Sequence, residues 1–231
     1  MEKLDKDFWL FKTPIAHRGL ADVNGFVENT LPAFINSMQK GYAIETDLRF
    51  TKSGSLVCFH DHNLKRLAGS ELNIIDLTDE EIKEITLLNG QKICFFTELL
   101  KHIDGTVPLC IELKDHQPIS LADKSIEILR DYKGEFVLKS FDPRIVKRAR
   151  KIAPNFICGQ LIGGSEKPKF NKIKWNFINA TTKAQFVSHY IDTLATPYTN
   201  TVVWTIRTKE QYLKAKELGL NVIFEDENVI K

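Results

Sequence analysis

The 231-residue sequence lacks the features that mark membrane, nucleic-acid-binding or disulfide-stabilised proteins. No run approaches the ~18 apolar residues of a membrane span, and the start, MEKLDKDFWLFK, lacks the apolar core of a signal peptide. Basic and acidic residues nearly balance, 32 against 30, so no strong field attracts nucleic acid. The four cysteines form no CxxC pair, which argues against a disulfide framework or zinc site. We therefore expect a cytoplasmic protein with no integral membrane contact and no nucleic-acid partner.

What the sequence does contain is a regular alternation of apolar strand-like segments and amphipathic helices. Eight strands remain when the returning arm of one hairpin is set aside, and nearly every strand is followed by a helix. At this length the alternation favours an α/β protein with one domain, 1–231, built as a (β/α)8 TIM-type barrel. The doubly wound sheet is the main alternative, but no glycine-rich phosphate loop follows an early strand.

Capping and turn residues place many of the element boundaries. A helix should start at Thr30 as N-cap and end at Gly41, and a capping box opens a short helix at Thr78. Another short helix is expected at 96–102. The later strands are predicted at 107–114, 135–141, 156–162, 177–181, 201–206 and 221–225. The later helices are predicted at 118–132, 143–152, 183–194 and 208–218.

The segment 43–62 is predicted to form a strand, a tight turn and a returning strand. Glu45 and Asp47 are two residues apart, so their carboxylates leave the same face of an extended backbone. If the strands pair about the turn at Gly54, His60 comes close to Asp47. Clustered carboxylates repel unless a cation compensates them, and oxygen ligands favour a hard ion such as Mg²⁺ or Ca²⁺. The alternative is an exposed strand whose carboxylates face water.

Other polar residues lie at strand ends, which is where a barrel carries its chemistry. Glu112 and Lys114 repeat the two-residue spacing, so Glu112 is either a third oxygen ligand or the partner of Lys114 in a salt bridge. Histidine is the side chain best suited to exchange protons near neutral pH, so His17 and His60 are candidates for general acid–base catalysis. Arg18 and Lys114 offer positive charge for an oxyanion, and arginine suits a phosphate.

In this order and combination, the motifs resemble those of the glycerophosphodiester phosphodiesterase family over almost the whole chain. The matching motifs are His17-Arg18-Gly19, Glu28-Asn29-Thr30, Glu45-Thr46-Asp47, Thr51-Lys52-Ser53-Gly54, His60-Asp61, Glu112-Leu113-Lys114, Ser140-Phe141 and Trp204-Thr205. The resemblance implies a barrel that binds a divalent cation, Mg²⁺ or Ca²⁺, and that carries a small helical insertion at about 62–106, after the hairpin.

Carried over residue by residue, the resemblance assigns roles to the polar positions. The implied metal ligands are Glu45, Asp47 and Glu112, with Asn29 helping to hold the metal region. The implied catalytic acid–base pair is His17 and His60. The implied substrate-binding residues are Arg18, Lys114 and Trp204.

Three places depart from the family pattern. Val27 stands where a proline is usual, and Arg207 replaces the asparagine that commonly follows the W-T pair. The segment 222–226 is a loose version of the family's G-I-I-T-D and has no glycine. The last two departures fall at the predicted barrel rim, so they bear on substrate preference more than on chemistry.

The resemblance implies metal-dependent hydrolysis of a small-molecule glycerophosphodiester to glycerol 3-phosphate and an alcohol. The nucleophile is either water or the substrate's own 2-hydroxyl, with the 2-hydroxyl favoured and His17 favoured as the base. Two alternatives stay open: a phosphodiesterase acting on lysophospholipids or another head group, and a non-catalytic barrel that binds phosphorylated ligands.

Overall fold

A computed structural model describes residues 3–21, 25–163, 175–178 and 180–231. The strands in these ranges are β1 (Ile15–Ala16), β2 (Ala43–Phe50), β3 (Leu56–Cys58), β4 (Cys94–Phe95), β5 (Leu109–Leu113), β6 (Phe136–Ser140), β7 (Cys158–Ile162), β8 (Phe186–Tyr190), β9 (Thr201–Ile206) and β10 (Asn221–Phe224). Strand β1 pairs with both β2 and β10, so the eight parallel strands β1, β2 and β5 to β10 form a closed barrel. The predicted (β/α)8 fold is confirmed.

The barrel interior is apolar along the early positions of its strands. The side chains that fill it are Ile15, Ala43, Cys110, Val137, Phe186, Val202 and Ile223. Trp9 and Leu10, from the segment before β1, pack against this group. Because successive strand residues alternate in direction, the next residues face the helices and join the larger core outside the barrel. The chain thus keeps its polar inward-facing residues for the carboxyl ends of the strands.

Six helices lie close to where the sequence predicts them: Leu31–Gln39, Asp79–Glu84, Phe96–Ile103, Ser120–Leu129, Pro143–Ile152 and Lys209–Glu217. Two further short helices, Lys65–Ala68 and Glu227–Ile230, have no counterpart among the predicted helices. The capping box of Thr78 with Glu81 is present, and Asp142 caps the helix that follows it. Thr30 precedes its helix as predicted, but its hydroxyl donates to the Val27 carbonyl oxygen, 2.6 Å away, and does not cap it. None of the helices in the described ranges has both the length and the apolar character that crossing a membrane requires.

Two neighbouring predictions were wrong. The strand predicted at 177–181 is absent, since residues 175–178 and 180–182 are helical and Phe177 is 70% exposed. The helix predicted at 183–194 is instead strand β8 followed by one 3₁₀ turn, Ile191–Thr193. Its apolar residues recur at a spacing that also fits a helix, which is the known ambiguity of short apolar segments. Pairing of β8 with both β7 and β9 decides in favour of the strand.

The predicted hairpin is present and carries a small layer of structure. Strand β3 runs antiparallel to β2, with Leu48 opposite Cys58, and β4 runs antiparallel to β3. Most of the short helices of segment 62–106 pack around their own apolar cluster, which includes Phe59 and Ile82. The helix Phe96–Ile103 packs into the main core instead. The segment therefore lies beside the carboxyl end of β2, next to the predicted site.

Candidate active site

Three carboxylates meet at the carboxyl ends of β2 and β5. Asp47 and Glu112 are register neighbours on the paired strands, and Glu45 lies one inward-facing position before Asp47. All three side chains are buried, and one carboxylate oxygen of each lies within 4.8 Å of the others. The prediction that these side chains cluster is confirmed, because strand register converts the two-residue spacing into a shared face.

Two cations, the buried Lys114 and the half-buried Arg18, neutralise the outer part of this cluster. Lys114 Nζ lies 2.7 Å from Glu112 Oε1 and 3.3 Å from Asp47 Oδ1, and Arg18 Nε lies 3.4 Å from Asp47 Oδ2. Burial by itself would raise the pKa of Asp47, but Lys114 and Arg18 hold that pKa well below its usual range. Asp47 is therefore ionised at neutral pH. Both readings of Glu112, ligand and salt-bridge partner of Lys114, are compatible with this geometry.

A third cation, Lys139, is buried beside the carboxylates and was not predicted from the sequence. Its Nζ lies 2.8 Å from Glu45 Oε1 and 4.0 Å from Glu112 Oε2. Burial lowers the pKa of Lys139, but its acidic neighbours, chiefly Glu45 with Glu112, together outweigh that effect and raise the pKa above its ordinary value. The only signal in the sequence was a single charge inside the apolar strand FVLKS, whose register neighbour on β5 is Glu112.

The loop after β1 supports the cluster from the side. Asn29 Nδ2 donates to Asp47 Oδ2 at 2.9 Å, and the amide oxygen of Asn29 accepts a hydrogen bond from Thr46 Oγ1. The backbone N–H of Arg18 donates to Glu45 Oε2 at 3.1 Å. Gly19 has φ +77°, and a Cβ there would lie 2.9 Å from a backbone carbon of the following helix, so only glycine suits this turn.

His17 lies at the carboxyl end of β1, beside the cluster. Its Nε2 is 3.9 Å from Glu45 Oε2, and its Nδ1 is 3.0 Å from Glu225 Oε1. Glu225 also pairs through both oxygens with Arg207, at 2.6 Å each. Burial alone would raise the pKa of Glu225, but His17 and Arg207 lower it to about 2. Sequence reasoning missed Glu225 because it lies 208 residues away from His17 in the chain.

His60 follows β3 on the other side of the cavity. Its Nδ1 lies 2.7 Å from Asp61 Oδ1, and Asp61 Oδ2 accepts a hydrogen bond from Arg66 Nε at 2.7 Å. The carbonyl oxygen of His60 accepts two hydrogen bonds from Arg49, and the next residue back, Phe59, donates its N–H to the Asp47 carbonyl oxygen. These contacts hold His60 near Asp47, as the hairpin predicts.

Glu28 connects the two sides of the entrance. Its carboxylate accepts a hydrogen bond from Arg18 Nη1 at 2.8 Å and two from Arg66, at 2.7 and 2.8 Å. Burial would raise the pKa of Glu28, but Arg66 and Arg18 together lower it. The motif Glu28-Asn29-Thr30 thus orders the arginines around the site as well as Asp47.

These residues surround a cavity of about 140 Å³. It is lined by His17, Arg18, Glu45, His60, Glu112, Lys114, Lys139, Phe141, Leu161, Trp204, Thr205 and Arg207. Trp204 forms an aromatic wall, packed edge-on against Phe141 with ring centroids 5.7 Å apart, and its Nε1 donates to the Ser188 carbonyl oxygen. Of the predicted site residues, only Asp47 is not among the lining residues, since Lys114 and Arg18 lie against its carboxylate.

The donor set suits a hard divalent cation. Three carboxylates from two adjacent strands offer oxygen ligands in one small volume. Glu45 Oε1 is buried, and the Lys139 ammonium lies 2.8 Å from it. Carboxylate oxygens from Glu45, Asp47 and Glu112 that lie within 4.8 Å of one another fit the ligands of one cation.

The fold and the site together define a TIM-type barrel whose polar residues collect at the carboxyl ends of the strands, where such barrels carry their chemistry. Comparison with known proteins identifies the family of barrels to which this chain belongs. The family profile of the glycerophosphoryl diester phosphodiesterase family matches residues 17–228, and the chain belongs to this family.

Individual relatives agree with that placement. A glycerophosphodiester phosphodiesterase from Caldanaerobacter subterraneus is 31% identical over 160 residues, which is 64% of this chain and 65% of that protein. Lysophospholipase D GDPD1 from Homo sapiens is 44% identical over 64 residues, 27% of this chain and 20% of that protein. The matches thus span less than two thirds of the length of these relatives.

Solved structures share the whole barrel. A phosphodiesterase from Oleispira antarctica, in complex with the product sn-glycerol-3-phosphate, has a TM-score of 0.80 at 20% identity and covers 95% of this chain and 94% of its own. A glycerophosphodiester phosphodiesterase from Thermotoga maritima has a TM-score of 0.76 at 25% identity, with 94% and 96% coverage. The similarity therefore extends over nearly the full length of both structures.

Proposed function

We propose that this protein hydrolyses glycerophosphodiesters to glycerol 3-phosphate and an alcohol, using a divalent cation held by Glu45, Asp47 and Glu112. The observation that carries the proposal is the set of three buried carboxylates within 4.8 Å of one another, flanked by two imidazoles in the same cavity. The family placement and the related phosphodiesterase with bound sn-glycerol-3-phosphate support the substrate class.

The position of each residue in the cavity indicates its role in binding the substrate. When bound, the Mg²⁺ or Ca²⁺ ion would polarise the non-bridging phosphate oxygens. Arg18 and Lys114 add positive charge beside the carboxylates and bind the phosphate, and Trp204 contacts the substrate from the cavity wall.

The two histidines move the protons. In the proposed reaction His17 takes a proton from the nucleophile, which is the substrate's 2-hydroxyl in preference to water, and His60 gives a proton to the departing alkoxide oxygen. Attack by the 2-hydroxyl forms a phosphorus–oxygen bond as the bond to the alcohol breaks, which leaves a cyclic phosphate of glycerol. In a second step His60 takes a proton from water, the water oxygen bonds to phosphorus, and His17 returns its proton to the 2-oxygen as the ring bond breaks. Glycerol 3-phosphate is then the product, and both histidines regain their starting protonation.

A panel of diesters tests the proposal. We expect glycerophosphocholine to release choline and glycerol 3-phosphate, to stop doing so in EDTA, and to resume when Mg²⁺ or Ca²⁺ is added back. Choline release that EDTA does not reduce would reject the proposed metal dependence. If no diester of the panel is hydrolysed, the proposed function is rejected.

A lysophospholipid substrate is the second candidate, favoured by the 44% identity to lysophospholipase D over 64 residues. Assaying lysophosphatidylcholine beside glycerophosphocholine separates the two. Faster release of choline from the lyso-lipid would replace the first proposal with the second.

A cytoplasmic location is also part of the proposal. All four cysteines are free thiols and buried, which is the state that a reducing compartment maintains. Fractionation of the producing cells tests this, since recovery in the membrane or extracellular fraction would contradict it.

A further inference from the structure

The nitrogen of His17 that faces away from the carboxylate cluster has a charged partner. His17 Nδ1 lies 3.0 Å from Glu225 Oε1, while Nε2 points to the side of Glu45. Glu225 in turn receives a two-pronged contact from Arg207, whose Nε and Nη2 each lie 2.6 Å from one carboxylate oxygen. Neither Glu225 nor Arg207 has a role in the proposed reaction.

We propose that Glu225 is a positioning residue that keeps the proton of neutral His17 on Nδ1, so that Nε2 presents its lone pair to the cavity, and that Arg207 holds Glu225 in this place. The proposal rests on the proposed function insofar as His17 is the base of the reaction.

The tautomer follows from hydrogen-bond chemistry. The pKa of Glu225 is about 2, lowered mainly by His17 and Arg207 against the effect of burial, so its carboxylate is ionised and only accepts hydrogen bonds. His17 Nδ1 must then be the donor, and a neutral imidazole with hydrogen on Nδ1 has a free lone pair on Nε2. At 3.9 Å, Glu45 Oε2 is too far from Nε2 to hydrogen-bond it.

The barrel closure fixes the geometry of all three side chains. The N–H of His17 donates to the Phe224 carbonyl oxygen at 2.8 Å, and the N–H of Glu225 donates to the Ile206 carbonyl oxygen at 3.2 Å. The N–H of Arg207 donates to Gln211 Oε1 at 2.9 Å. His17, Glu225 and Arg207 therefore follow the adjacent strands β1, β10 and β9, and each is anchored by its own backbone.

The opposite side of the cavity has the same arrangement. His60 Nδ1 contacts Asp61, whose other carboxylate oxygen accepts a hydrogen bond from Arg66. In both cases a carboxylate held by an arginine faces Nδ1. Asp61 belongs to a motif of the family pattern, whereas Arg207 and Glu225 lie in the two rim segments where this sequence departs from it. The two departures are in contact, and each neutralises the charge of the other.

The decisive measurement reads the tautomer without substrate. In protein labelled with ¹⁵N-histidine, long-range ¹H–¹⁵N correlation should show His17 protonated on Nδ1, with the signal assigned by its loss in His17→Gln. We expect Glu225→Leu to shift His17 to a mixture of tautomers, Glu225→Asp to retain most of the Nδ1-H form, and Arg207→Leu to cause a smaller shift.

Kinetics give the second readout. For Glu225→Leu we expect kcat to fall about 10–100-fold with little change in KM, as when an orienting partner of a functional histidine is removed. Glu217→Leu, which removes an exposed carboxylate from the neighbouring helix, is the matched control and should leave kcat unchanged.

Three outcomes in Glu225→Leu would overturn the proposal. They are an unchanged tautomer, a kcat within twofold of the unsubstituted protein, and a higher KM with kcat unchanged. If Glu225→Leu does not fold, Arg207→Leu carries the same test, because the Arg207 side chain is 52% exposed. A tautomer shift in a protein that hydrolyses no diester would leave the positioning of His17 intact and reject only the proposed function.

Discussion

The site has two regions that are built in different ways. The acidic floor, which we define as Glu45, Asp47 and Glu112, lies on paired strands, and its side chains are at most 7% exposed. The histidine rim, which we define as His17 and His60, lies where strands run into loops, and its side chains are 11% and 34% exposed. The floor is held by buried ion pairs and the rim by half-exposed carboxylates. Substitutions in the floor should therefore affect stability and binding together, whereas substitutions in the rim should affect the reaction alone.

The largest effect is expected for Glu45→Gln in the floor. The substitution leaves the buried ammonium of Lys139 without its nearest carboxylate, 2.8 Å away, and removes a proposed metal ligand. Breaking one side of a buried pair costs about 3–5 kcal/mol, so urea unfolding should show a loss of that size. Calorimetric titration with Mg²⁺ or Ca²⁺ should show weakened binding.

A matched surface variant makes the comparison quantitative. Glu71→Gln breaks an ion pair with Lys65 in which both side chains are about 70% exposed, and exposed pairs are worth about 0–1 kcal/mol. Equal losses in Glu45→Gln and Glu71→Gln would contradict the distinction between floor and surface.

The next effect in size is expected in the rim. His60→Ala should reduce kcat by about 10²–10⁴-fold, the usual contribution of a general acid or base. The free energy of unfolding of this variant should change by only about 1 kcal/mol, because the His60 side chain is 34% exposed and Asp61 keeps its hydrogen bond with Arg66. His62→Ala, two residues further along and exposed, is the control. Substantial residual turnover in His60→Ala, or a stability loss as large as that of Glu45→Gln, would refute the assignment of His60 to a separable rim.

The floor could be predicted from the sequence because its geometry is local. The two-residue spacing of Glu45 and Asp47 fixes a shared strand face, and one parallel pairing brings Glu112 alongside. His60 was equally accessible, since a hairpin of a few residues returns it to Asp47. In each case a short-range rule and one strand pairing are sufficient.

The remaining features depend on contacts that no local pattern encodes. Glu225 reaches His17 only because β10 pairs with β1 and closes the barrel. Lys139 is a single charge in an apolar strand, and it meets the carboxylates only because the pairing of β5 with β6 places it beside Glu112. The segment 183–194 has apolar residues at a helical spacing, and its pairing between β7 and β9 overrides that spacing. Register and closure, both long-range, therefore account for what was missed.

The smallest expected effect is a change in metal affinity, and it concerns the charge balance of the floor. Lys139 Nζ lies 2.8 Å from Glu45 Oε1, an oxygen of a proposed metal ligand, so the ammonium and a divalent ion compete for it. Lys139→Met removes the competitor and keeps much of the side-chain volume. We expect it to tighten Mg²⁺ binding by about tenfold, because the Coulomb gain of several kcal/mol is largely offset by desolvation.

Unfolding experiments give a readout that does not depend on activity. Without added metal, Lys139→Met should be less stable than the unsubstituted protein, because Glu45 loses its buried partner. Saturating Mg²⁺ should then raise Tm by more in the variant, since ligand-linked stability grows with affinity. Lys214→Met is the control, because Lys214 Nζ donates to a backbone carbonyl oxygen away from the floor. Weaker or unchanged Mg²⁺ binding in Lys139→Met would contradict competition between the ammonium and the ion for Glu45. Lys139 would then help to hold the three carboxylates in place for the ion.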